Sequence, residues 1–403
     1  MGGCYLCHKE IQKIPEPIDN NGILTRSTDS LPIPQETQIS PSPTTSISMD
    51  DFQPLKLLGK GSFGKVILVN YLTNNKVYAM KILKKEEIIK RKQINHIKTE
   101  RLLLEKLNHP FIAQLQFAFQ DEQKLYLVTE FLQGGELFFH IKRKTCFKEN
   151  TAKFYMAQIF LAIDYMHKNG FIYRDLKPEN ILIDKEGYIK LTDFGLSKII
   201  LEDENNNSSN TICGTLEYMA PEIIKGKQYN KSVDWYSFGI VLYEMLCGNL
   251  PFKLKNRIIE DSIYENEIEY PEKLSPEAKD IISKLLQIEP EKRLGYKSSD
   301  EIKNSDFFKG VDFDKIFKKE NRPPFRPKFC GQLDLKYFDI HFTEDRDLYS
   351  EDFSENNKNK SIEDNNEENE NKNENIQAFE GFSFYKEEKN TENSDDEDDD
   401  DLY

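Results

Sequence analysis

The sequence has no long run of apolar residues. None of its apolar stretches approaches the roughly twenty residues that a membrane-spanning helix needs, and no apolar leader of the kind that directs secretion precedes the body of the chain. We therefore expect neither a membrane span nor an exported protein. The chain also lacks an internal repeat, so a solenoid or a propeller is not predicted.

Cysteine is scarce, with 6 residues scattered through 403. Small secreted domains are usually held together by dense disulfides, whereas this pattern predicts reduced thiols in a cytoplasmic protein. The hydrophobic fraction of 38% is low for a chain that is packed throughout. Part of the chain is therefore expected to be disordered, beginning with the Pro-, Ser- and Thr-rich residues 1–51.

An excess of positive charge is also absent. The formal net charge is −15, and residues 351–403 alone, with 20 acidic and 5 basic side chains, account for all of it. The remaining chain is electrically balanced and has no basic stripe, so nucleic-acid binding is not expected. The acidic end after Ser394 predicts either a solubilising tail or a site for an acidophilic kinase.

Two segments of different periodicity follow the N-terminal residues. In residues 52 to about 130, the apolar residues follow a strand-like pattern that one helical stretch interrupts. From about 135 to 310, the apolar residues mostly follow helical spacing. We expect one helix to open with an Asn150 cap and close at Gly170, and residues 232–248 to form a buried helix because they are apolar almost all round. The predicted fold class is α+β and bilobal, with a small antiparallel sheet lobe that carries one main helix and a larger helical lobe. The predicted divisions of the chain are 1–51, 52–308, 309–385 and 386–403.

A glycine-rich stretch, Gly-Lys-Gly-Ser-Phe-Gly-Lys-Val, begins at Gly59. Alone it would also suit an ordinary turn or a dinucleotide loop. A dinucleotide loop is followed by a helix, whereas both flanks here are strand-like. In a glycine-rich hairpin, the missing glycine side chains let backbone N–H groups approach phosphates. Lys81, on the next strand, is then a candidate cation for those phosphates instead of a solvated edge residue, and Glu100 on the predicted helix is its candidate partner.

Three motifs follow in order: Tyr173-Arg174-Asp175-Leu176-Lys177-Pro178-Glu179-Asn180, Asp193-Phe194-Gly195 and Ala220-Pro221-Glu222. Together with the glycine loop and the strand lysine, they resemble the protein-kinase catalytic domain, and the Tyr before Arg-Asp is similar to the AGC group. The resemblance covers about residues 52–308 and extends about equally to the Akt, SGK and ribosomal-protein kinase branches. It implies a serine/threonine protein kinase that uses ATP and Mg²⁺.

The resemblance also implies a role for each matching residue, because phosphoryl transfer depends on positioning and charge neutralisation. Asp175 would orient the substrate hydroxyl and accept its proton, and Lys177 would steady the γ-phosphate. Asn180 and Asp193 would hold Mg²⁺, a hard cation that prefers oxygen ligands. The residues implied to contact ATP are Leu58, Gly59, Lys60, Gly61, Ser62, Phe63, Gly64, Lys65, Val66, Ala79, Lys81, Thr129, Glu130, Leu132, Glu136, Leu182 and Phe338. Those implied to stack between the lobes, or to serve simply as core, are Leu104, Leu115, Tyr173 and Phe194.

Acidic positions carry the implied substrate preference. Glu136 and Glu179 match positions that receive arginines upstream of the target Ser/Thr in basophilic AGC kinases, and carboxylates pair well with Arg. Asp261 is either a third such acid or an ordinary surface residue. Thr215 matches the substrate-loop threonine that lies near Asp175. The expected partners of this monomeric enzyme are therefore proteins with basic residues upstream of Ser/Thr.

Thr211 matches the activation-loop phosphosite of the group, so an upstream activating kinase is a further expected partner. Phosphorylation adds nearly two negative charges. The candidate cations for that phosphate are His96, Arg174 and Lys198. Contact with His96 would connect the loop to the Glu100 helix. Glu222 and Arg293, by contrast, are expected to form an architectural ion pair.

The segment after residue 309 carries further resemblances. Phe379-Glu380-Gly381-Phe382-Ser383-Phe384 matches the hydrophobic motif of the group, and phenylalanines in a polar stretch are expected to find cover. We expect them to dock beside the Glu100 helix, more strongly when Ser383 is phosphorylated. Phe338 resembles the tail aromatic that reaches the nucleotide. Ser350 lies at the expected turn-motif phosphosite, where Glu351 replaces the usual proline.

The first residues, Met-Gly-Gly-Cys-Tyr-Leu-Cys-His, allow several interpretations. Cys4-x-x-Cys7-His8 matches haem attachment, which needs export, and a zinc site would need a second pair of ligands. Myristoylation at Gly2 with palmitoylation at Cys4 or Cys7 would associate the protein firmly with membranes, because two chains anchor where one does not. Leu6 departs from the preferred Ser/Thr of that signal. An unmodified start is the remaining alternative.

Two other functions stay open on the sequence alone. A pseudokinase would share the fold and act as a binding module, although Lys81, Asp175 and Asp193 are all present. A kinase for small molecules is the second alternative. The Ala-Pro-Glu segment and the hydrophobic motif favour protein substrates.

Overall fold

The computed structural model describes residues 47–61, 64–199, 211, 213–252, 268–344 and 378–386, all within one compact unit, Ile47–Tyr403. A 3₁₀ turn, Met49–Asp51, precedes the first strand and lies at the end of the segment 1–51 that the sequence predicts to be disordered. The Ser48 hydroxyl oxygen accepts the Asp50 amide, and the Asp51 carboxylate accepts the Ser48 amide, which together cap the turn. The predictions on Gly2, Cys4, Cys7, Ser62, Phe63, Asp261, Ser350 and Ser394 lie outside the described residues.

Ten strands are described. They are β1 (Phe52–Gly61), β2 (Gly64–Tyr71), β3 (Lys76–Lys84), β4 (Leu115–Gln120), β5 (Lys124–Glu130), β6 (Phe171–Ile172), β7 (Ile181–Ile183), β8 (Ile189–Leu191), β9 (Lys198–Ile199) and β10 (Phe384–Tyr385). Six of them form an antiparallel sheet in the order β1-β2-β3-β5-β4-β10, and the pairs β6-β9 and β7-β8 form two small ribbons.

Ten helices are described. They are α1 (Lys85–Lys90), α2 (Ile94–Lys106), α3 (Leu137–Lys144), α4 (Glu149–Lys168), α5 (Pro221–Ile224), α6 (Ser232–Cys247), α7 (Pro276–Leu285), α8 (Asp300–Lys303), α9 (Phe313–Phe317) and α10 (Ile340–Thr343). Helices α1 and α2 stand beside the large sheet, α10 contacts β1, and the longest helices, α4 and α6, belong to the second lobe. The predicted bilobal α+β fold is confirmed.

The two faces of the sheet are covered differently. Aromatic side chains that include Phe52, Phe117 and Tyr126 cluster with the apolar residues of β2 and β3 on one face. On the other face, α2 buries Ile97, Leu103 and Leu104 at helical spacing. The amphipathic pattern therefore fixes which side of α2 meets the sheet, and with it where Glu100 lies.

Helix α6 is the centre of the helical lobe. All residues from Ser232 to Leu246 are buried, as the apolar pattern predicts, and the helix ends where Gly248 adopts a φ of 81°. The predicted Asn150 cap of α4 is wrong. The helix already starts at Glu149, because the Lys148 carbonyl accepts the Ala152 amide at 3.0 Å without a side-chain cap.

The segment after α8 is a strap across the molecule, with two short helices, α9 and α10, in it. The strap passes close to Gly187, where an added Cβ would come within 2.1 Å of the Phe325 carbonyl oxygen. The Tyr188 hydroxyl donates to the Lys319 carbonyl at 2.6 Å. None of the described helices has the length and apolar character to span a membrane.

Candidate active site

The glycine-rich stretch is the hairpin between β1 and β2, with Gly61 opposite Gly64. Both of its flanks are strands, which excludes the dinucleotide loop. Gly64 is sterically required, because an added Cβ would lie 1.8 Å from the Ile82 carbonyl oxygen. At Gly59 an added Cβ would meet nothing within 4 Å, so this part of the hairpin leaves open space that a phosphate chain can enter.

Lys81 links the two lobes through a pair of carboxylates. Its Nζ lies 2.6 Å from Glu100 Oε1 and 3.1 Å from Asp193 Oδ1. The contact predicted between Lys81 and Glu100 is therefore present. β3 carries the lysine, α2 carries the glutamate, and Asp193 belongs to the Asp-Phe-Gly turn, where its φ is 54°.

These three charges set one another's pKa values. Burial would lower the pKa of Lys81, but Asp193 and Glu100 outweigh it and raise the pKa well above its ordinary value. The charge of Lys81 in turn lowers the pKa of Asp193. Burial raises the pKa of Glu100, and Asp193 adds to that effect while Lys81 opposes it. Lys81 stays protonated and Asp193 ionised at neutral pH, as anion binding and metal binding require.

Asp175 is buried at the centre of a hydrogen-bonded group. Its Oδ2 accepts from Asn180 Nδ2 at 2.8 Å and lies 2.9 Å from Lys177 Nζ, while its Oδ1 accepts from Thr215 Oγ1 at 3.1 Å. Lys177 Nζ also donates to Thr215 Oγ1 at 2.7 Å. The proximity of Thr215 predicted from the sequence is confirmed, and the carboxylate is held in one orientation with a cation beside it.

A residue that the sequence did not reveal holds the backbone just before Asp175. The fully buried Asp234 of α6 accepts the backbone amides of Tyr173 and Arg174 at 2.9 and 2.8 Å, and its Oδ2 also lies 2.7 Å from His167 Nε2. The missed signal is an acid near the start of an otherwise apolar helix, because such a charge is stable only where donors surround it.

The predicted metal ligands suit Mg²⁺. Asp193 is exposed to the cleft, with 52% of its side chain accessible, and Lys81 takes only its Oδ1. Asn180 commits its amide nitrogen to Asp175, which leaves the amide oxygen as its possible metal donor. Two oxygen donors of this kind fit a hard cation.

The residues implied to surround the adenine meet between the lobes. Val66 lies opposite Lys81, and Ala79 lies opposite Thr129. Leu58, Val66, Ala79, Thr129 and Leu182 are half-buried, and Leu132 is buried. Glu130 Oε1 accepts from Lys190 Nζ at 2.6 Å and from the Gln114 amide at 2.9 Å, and the Glu130 amide donates to the Gln114 carbonyl at 3.1 Å. Phe338 stacks on Phe131 beside this hinge, with ring centroids 5.6 Å apart.

The residues implied to stack between the lobes are all buried. Leu104, Leu115, Tyr173 and Phe194 have accessibilities from 0% to 6%. The rings of Tyr173 and Phe194 lie 5.4 Å apart in an edge-on arrangement. All four belong to one hydrophobic core cluster, which includes residues of α2 and of the Asp-Phe-Gly turn.

An acidic cluster lies at the mouth of the cleft. Partial loss of hydration, together with the charges of Glu179 and Asp339, raises the pKa of Glu136 to about 7. Burial raises the pKa of Glu179, with Glu244 contributing, and Glu179 Oε2 has no hydrogen-bond partner among the described residues. Sequence analysis missed Glu244 and Asp339. Lys142 Nζ lies 3.8 Å from Glu244 Oε1 and Lys177 lowers the pKa of Glu136, so the carboxylates of the cluster are only partly neutralised.

The three cations predicted around Thr211 gather at one place. Arg174 is buried and donates to the Leu196 carbonyl at 2.6 Å and to the Tyr229 hydroxyl at 3.0 Å, and that hydroxyl donates to the Thr211 carbonyl at 2.8 Å. Burial and then the charge of Arg174 lower the pKa of both His96 and Lys198. The charge of Arg174 therefore disfavours protonation of its neighbours, and Thr211 itself is exposed.

The hydrophobic motif docks on the small lobe as predicted, and it also extends the sheet. Phe379 and Phe382 are buried, and β10 pairs Phe384 with Ala118 of β4. Arg101, the residue after Glu100, donates to the Phe382 and Ser383 carbonyls at 3.0 Å each. The hydrophobic motif therefore contacts α2 through Arg101, the residue next to Glu100.

The predicted architectural pair is also present. Arg293 donates to both carboxylate oxygens of Glu222, at 2.7 and 2.9 Å, and both residues are buried. Such a bidentate pair fixes the Ala-Pro-Glu segment against the helical lobe.

Known proteins are similar to this chain in sequence. The family model of the protein kinase domain matches residues 52–308. Serine/threonine-protein kinase Sgk1 of Xenopus tropicalis is 42% identical over 351 residues, which are 85% of this chain and 83% of that protein. Protein kinase 2 of Dictyostelium discoideum is 46% identical over 306 residues, 76% of this chain and 63% of that protein.

RAC-beta serine/threonine-protein kinase of Homo sapiens is 44% identical over 301 residues, 74% of this chain and 62% of that protein. The chain thus spans less than two thirds of the length of the Dictyostelium and human relatives. With its sheet lobe, its Lys81–Glu100 pair and its buried Asp175, the chain belongs to the protein kinase family and, within it, to the AGC group of serine/threonine kinases.

Proposed function

We propose that the chain transfers the γ-phosphoryl group of ATP to Ser or Thr of proteins that carry basic residues upstream of the target. The observation that supports this most is the held carboxylate of Asp175, with Lys177 Nζ at 2.9 Å and Thr215 Oγ1 at 3.1 Å. A hydroxyl entering this site meets a base that is already oriented.

The side chains divide the reaction between them. Asp175 orients the attacking hydroxyl and takes its proton as the oxygen–phosphorus bond forms, and the bond between the γ-phosphorus and the ADP oxygen breaks. Lys177 neutralises the transferred group, while Lys81 holds the remaining phosphates against Glu100. A bound Mg²⁺ supplies further charge neutralisation. Asp193 and Asn180 would hold it.

The alternatives are less well supported. A pseudokinase has usually lost part of this machinery, whereas here Lys81, Glu100 and Asp193 are in mutual contact. A small-molecule kinase would not need the acidic cluster of Glu136, Glu179, Glu244 and Asp339 outside the nucleotide cleft.

Arginine is the side chain that best completes the acidic cluster. Its planar guanidinium donates in pairs to carboxylates and stays charged at all relevant pH values. Glu179 Oε2, without a partner in the described residues, and the raised pKa of Glu136 both mark a site that gains from an incoming cation.

Two phosphorylations are proposed to activate the enzyme. A phosphate on Thr211 offsets the positive charge of Arg174, favours protonation of His96 and so ties the loop to α2. A phosphate on Ser383 strengthens the docking that Arg101 begins. Thr211→Ala should lower turnover strongly and Ser383→Ala moderately; equal turnover in Thr211→Ala and wild type would contradict the first switch.

A positional peptide-library screen with Thr211-phosphorylated enzyme tests the substrate class. Selection of Arg upstream of the phosphorylated Ser or Thr supports the proposal, and loss of that selection in Glu179→Gln assigns it to the acidic cluster. Robust phosphorylation with no upstream preference would leave a kinase but remove the basophilic specificity.

We also propose a cytoplasmic protein that associates with membranes through acylation at Gly2 and Cys4. The support is the Met-Gly-Gly-Cys start of the sequence, and two acyl chains give firm binding. Gly2→Ala should move the protein from the membrane to the soluble fraction. Unchanged fractionation would rule the anchor out.

A further inference from the structure

The side chain of Gln133, in the hinge between the lobes, binds the strap. This residue follows Leu132, which is implied to contact the adenine, and only 8% of Gln133 is exposed. Its Nε2 donates to the Gly331 carbonyl at 2.8 Å and to the Asp334 carbonyl at 3.1 Å. The two acceptors stand 198 and 201 positions further along the chain, so one amide joins the hinge to a distant segment. The proposed mechanism gives this side chain no role.

The two carbonyls belong to a turn of the strap that hydrogen bonds hold in shape. Asp334 Oδ2 accepts the Cys330 amide at 2.8 Å, and its Oδ1 accepts the Lys336 amide at 3.2 Å. Lys336 Nζ also lies 3.1 Å from Asp334 Oδ2. Because the residues of this turn are bonded to one another, Gln133 fixes the turn as a unit.

The residues that follow this turn lie directly on the hinge. A Cβ added to Gly135 would come within 2.3 Å of the Tyr337 carbonyl oxygen, so the strap backbone passes where only a glycine leaves room. Tyr337 is buried, and the ring of Phe338 stacks on Phe131 with centroids 5.6 Å apart. The position of the turn therefore determines where Phe338 meets the nucleotide cleft.

Given the proposed use of ATP, on which this inference rests, we propose that Gln133 is a positioning residue for the nucleotide. By binding the turn of the strap, it holds Phe338 at the hinge before ATP arrives. Ordering a mobile segment on binding costs free energy, and a turn that is already bound removes part of that cost. Gln133 should therefore increase the affinity for ATP and leave the chemical step at Asp175 nearly unchanged.

Calorimetric titration of the full-length chain with a non-hydrolysable ATP analogue and Mg²⁺ tests the role of Gln133. Gln133→Glu keeps the shape of the side chain, but a carboxylate cannot donate to the two carbonyls. The Kd should rise about tenfold, because buried carbonyls that lose their donor are costly. Turnover at saturating ATP should fall by less than about twofold, since such distant effects are small. Leu333→Ala, at an exposed position of the same turn, is the control and should leave the Kd unchanged.

A double-mutant cycle with Phe338→Ala shows whether Gln133 acts through the strap. Phe338→Ala alone should raise the Kd, and Gln133→Glu should add little to it, because coupled residues are not additive. Fully additive effects, or an unchanged Kd in Gln133→Glu, would overturn the proposal.

Hydrogen exchange of the wild-type chain gives a second test that needs no variant. The analogue should slow exchange in residues 331–338, and unchanged exchange there in the nucleotide-bound protein would also overturn the proposal. Neither binding measurement requires phosphoryl transfer. A chain that binds the analogue through Gln133 but transfers no phosphate would contradict the proposed function and leave the role of Gln133 standing.

Discussion

Single residues in the cleft acquire their function from neighbours of opposite or like charge. Lys81 keeps its proton because Glu100 and Asp193 surround it. Glu136 shows the reverse effect, since loss of hydration and then the charges of Glu179 and Asp339 raise its pKa and discourage its ionisation. Opposite charges are in contact in the first group, whereas carboxylates raise one another's pKa in the acidic cluster, so the two should respond differently to pH.

The pH dependence of peptide binding should follow Glu136. Its pKa is raised to about 7, so the carboxyl is charged above that pH and becomes protonated as the pH falls through it. We expect KM for a peptide with upstream Arg to rise several-fold between pH 8 and pH 6. The measurement is steady-state kinetics at saturating Mg-ATP.

Glu136→Gln is the matched control for that profile. It removes the titrating group and keeps the shape, so the rise in KM should flatten. If the variant retained the wild-type pH profile, the titration would belong to another residue.

At the scale of elements, the spacing of apolar residues predicted two kinds of helix: one with a single apolar face and one that is apolar all round. α2 and α6 follow their apolar patterns closely, because burial of that pattern is what stabilises them. The start of α4 differed from the prediction, since a cap residue such as Asn150 is only favourable and the backbone bond from Ala152 to Lys148 suffices.

Contacts between distant elements were harder to predict. The phenylalanines of the hydrophobic motif indicated burial, but not that β10 would pair with the edge of β4. Strand addition depends on an unpaired edge in three dimensions, which local sequence does not show. Asp234 and Glu244 were missed for a related reason, because their partners lie on other elements.

Arg101 should transmit docking of the hydrophobic motif to α2. Arg101→Met keeps the aliphatic stem and removes the bonds to the Phe382 and Ser383 carbonyls. Each such bond from a charged group contributes about 1.5–3 kcal/mol, so we expect faster hydrogen exchange in residues 378–386 and turnover reduced by about tenfold.

Lys98→Met, an exposed position on the same helix, is the control and should change neither property. Normal exchange and normal turnover in Arg101→Met would show that the phenylalanines hold the motif without it.

At the scale of the whole molecule, one phosphate can couple three separate parts. His96 belongs to α2, Arg174 to the catalytic loop and Lys198 to β9. Before phosphorylation, burial and the charge of Arg174 hold the pKa of His96 below its ordinary value. A dianion at Thr211 supplies the opposite charge and should raise it.

NMR titration of the His96 ring in Thr211-phosphorylated and unmodified protein measures this coupling. The expected result is an upward shift of the pKa by about one unit or more, since a charge within a few ångströms commonly causes such shifts. An unchanged His96 pKa in enzyme that phosphorylation has activated would show that the loop reaches α2 by another route.

Phosphoryl transfer through Asp175 is the claim on which the rest depends. The direct test is transfer of labelled γ-phosphate from Mg-ATP to an arginine-containing peptide by Thr211-phosphorylated protein, compared with Asp175→Asn. The asparagine keeps the size and much of the hydrogen bonding but cannot accept the proton. We predict robust transfer by the wild type and a loss of about 10²–10⁴-fold in the variant. No transfer by phosphorylated wild type, or equal rates in the two proteins, would contradict the account.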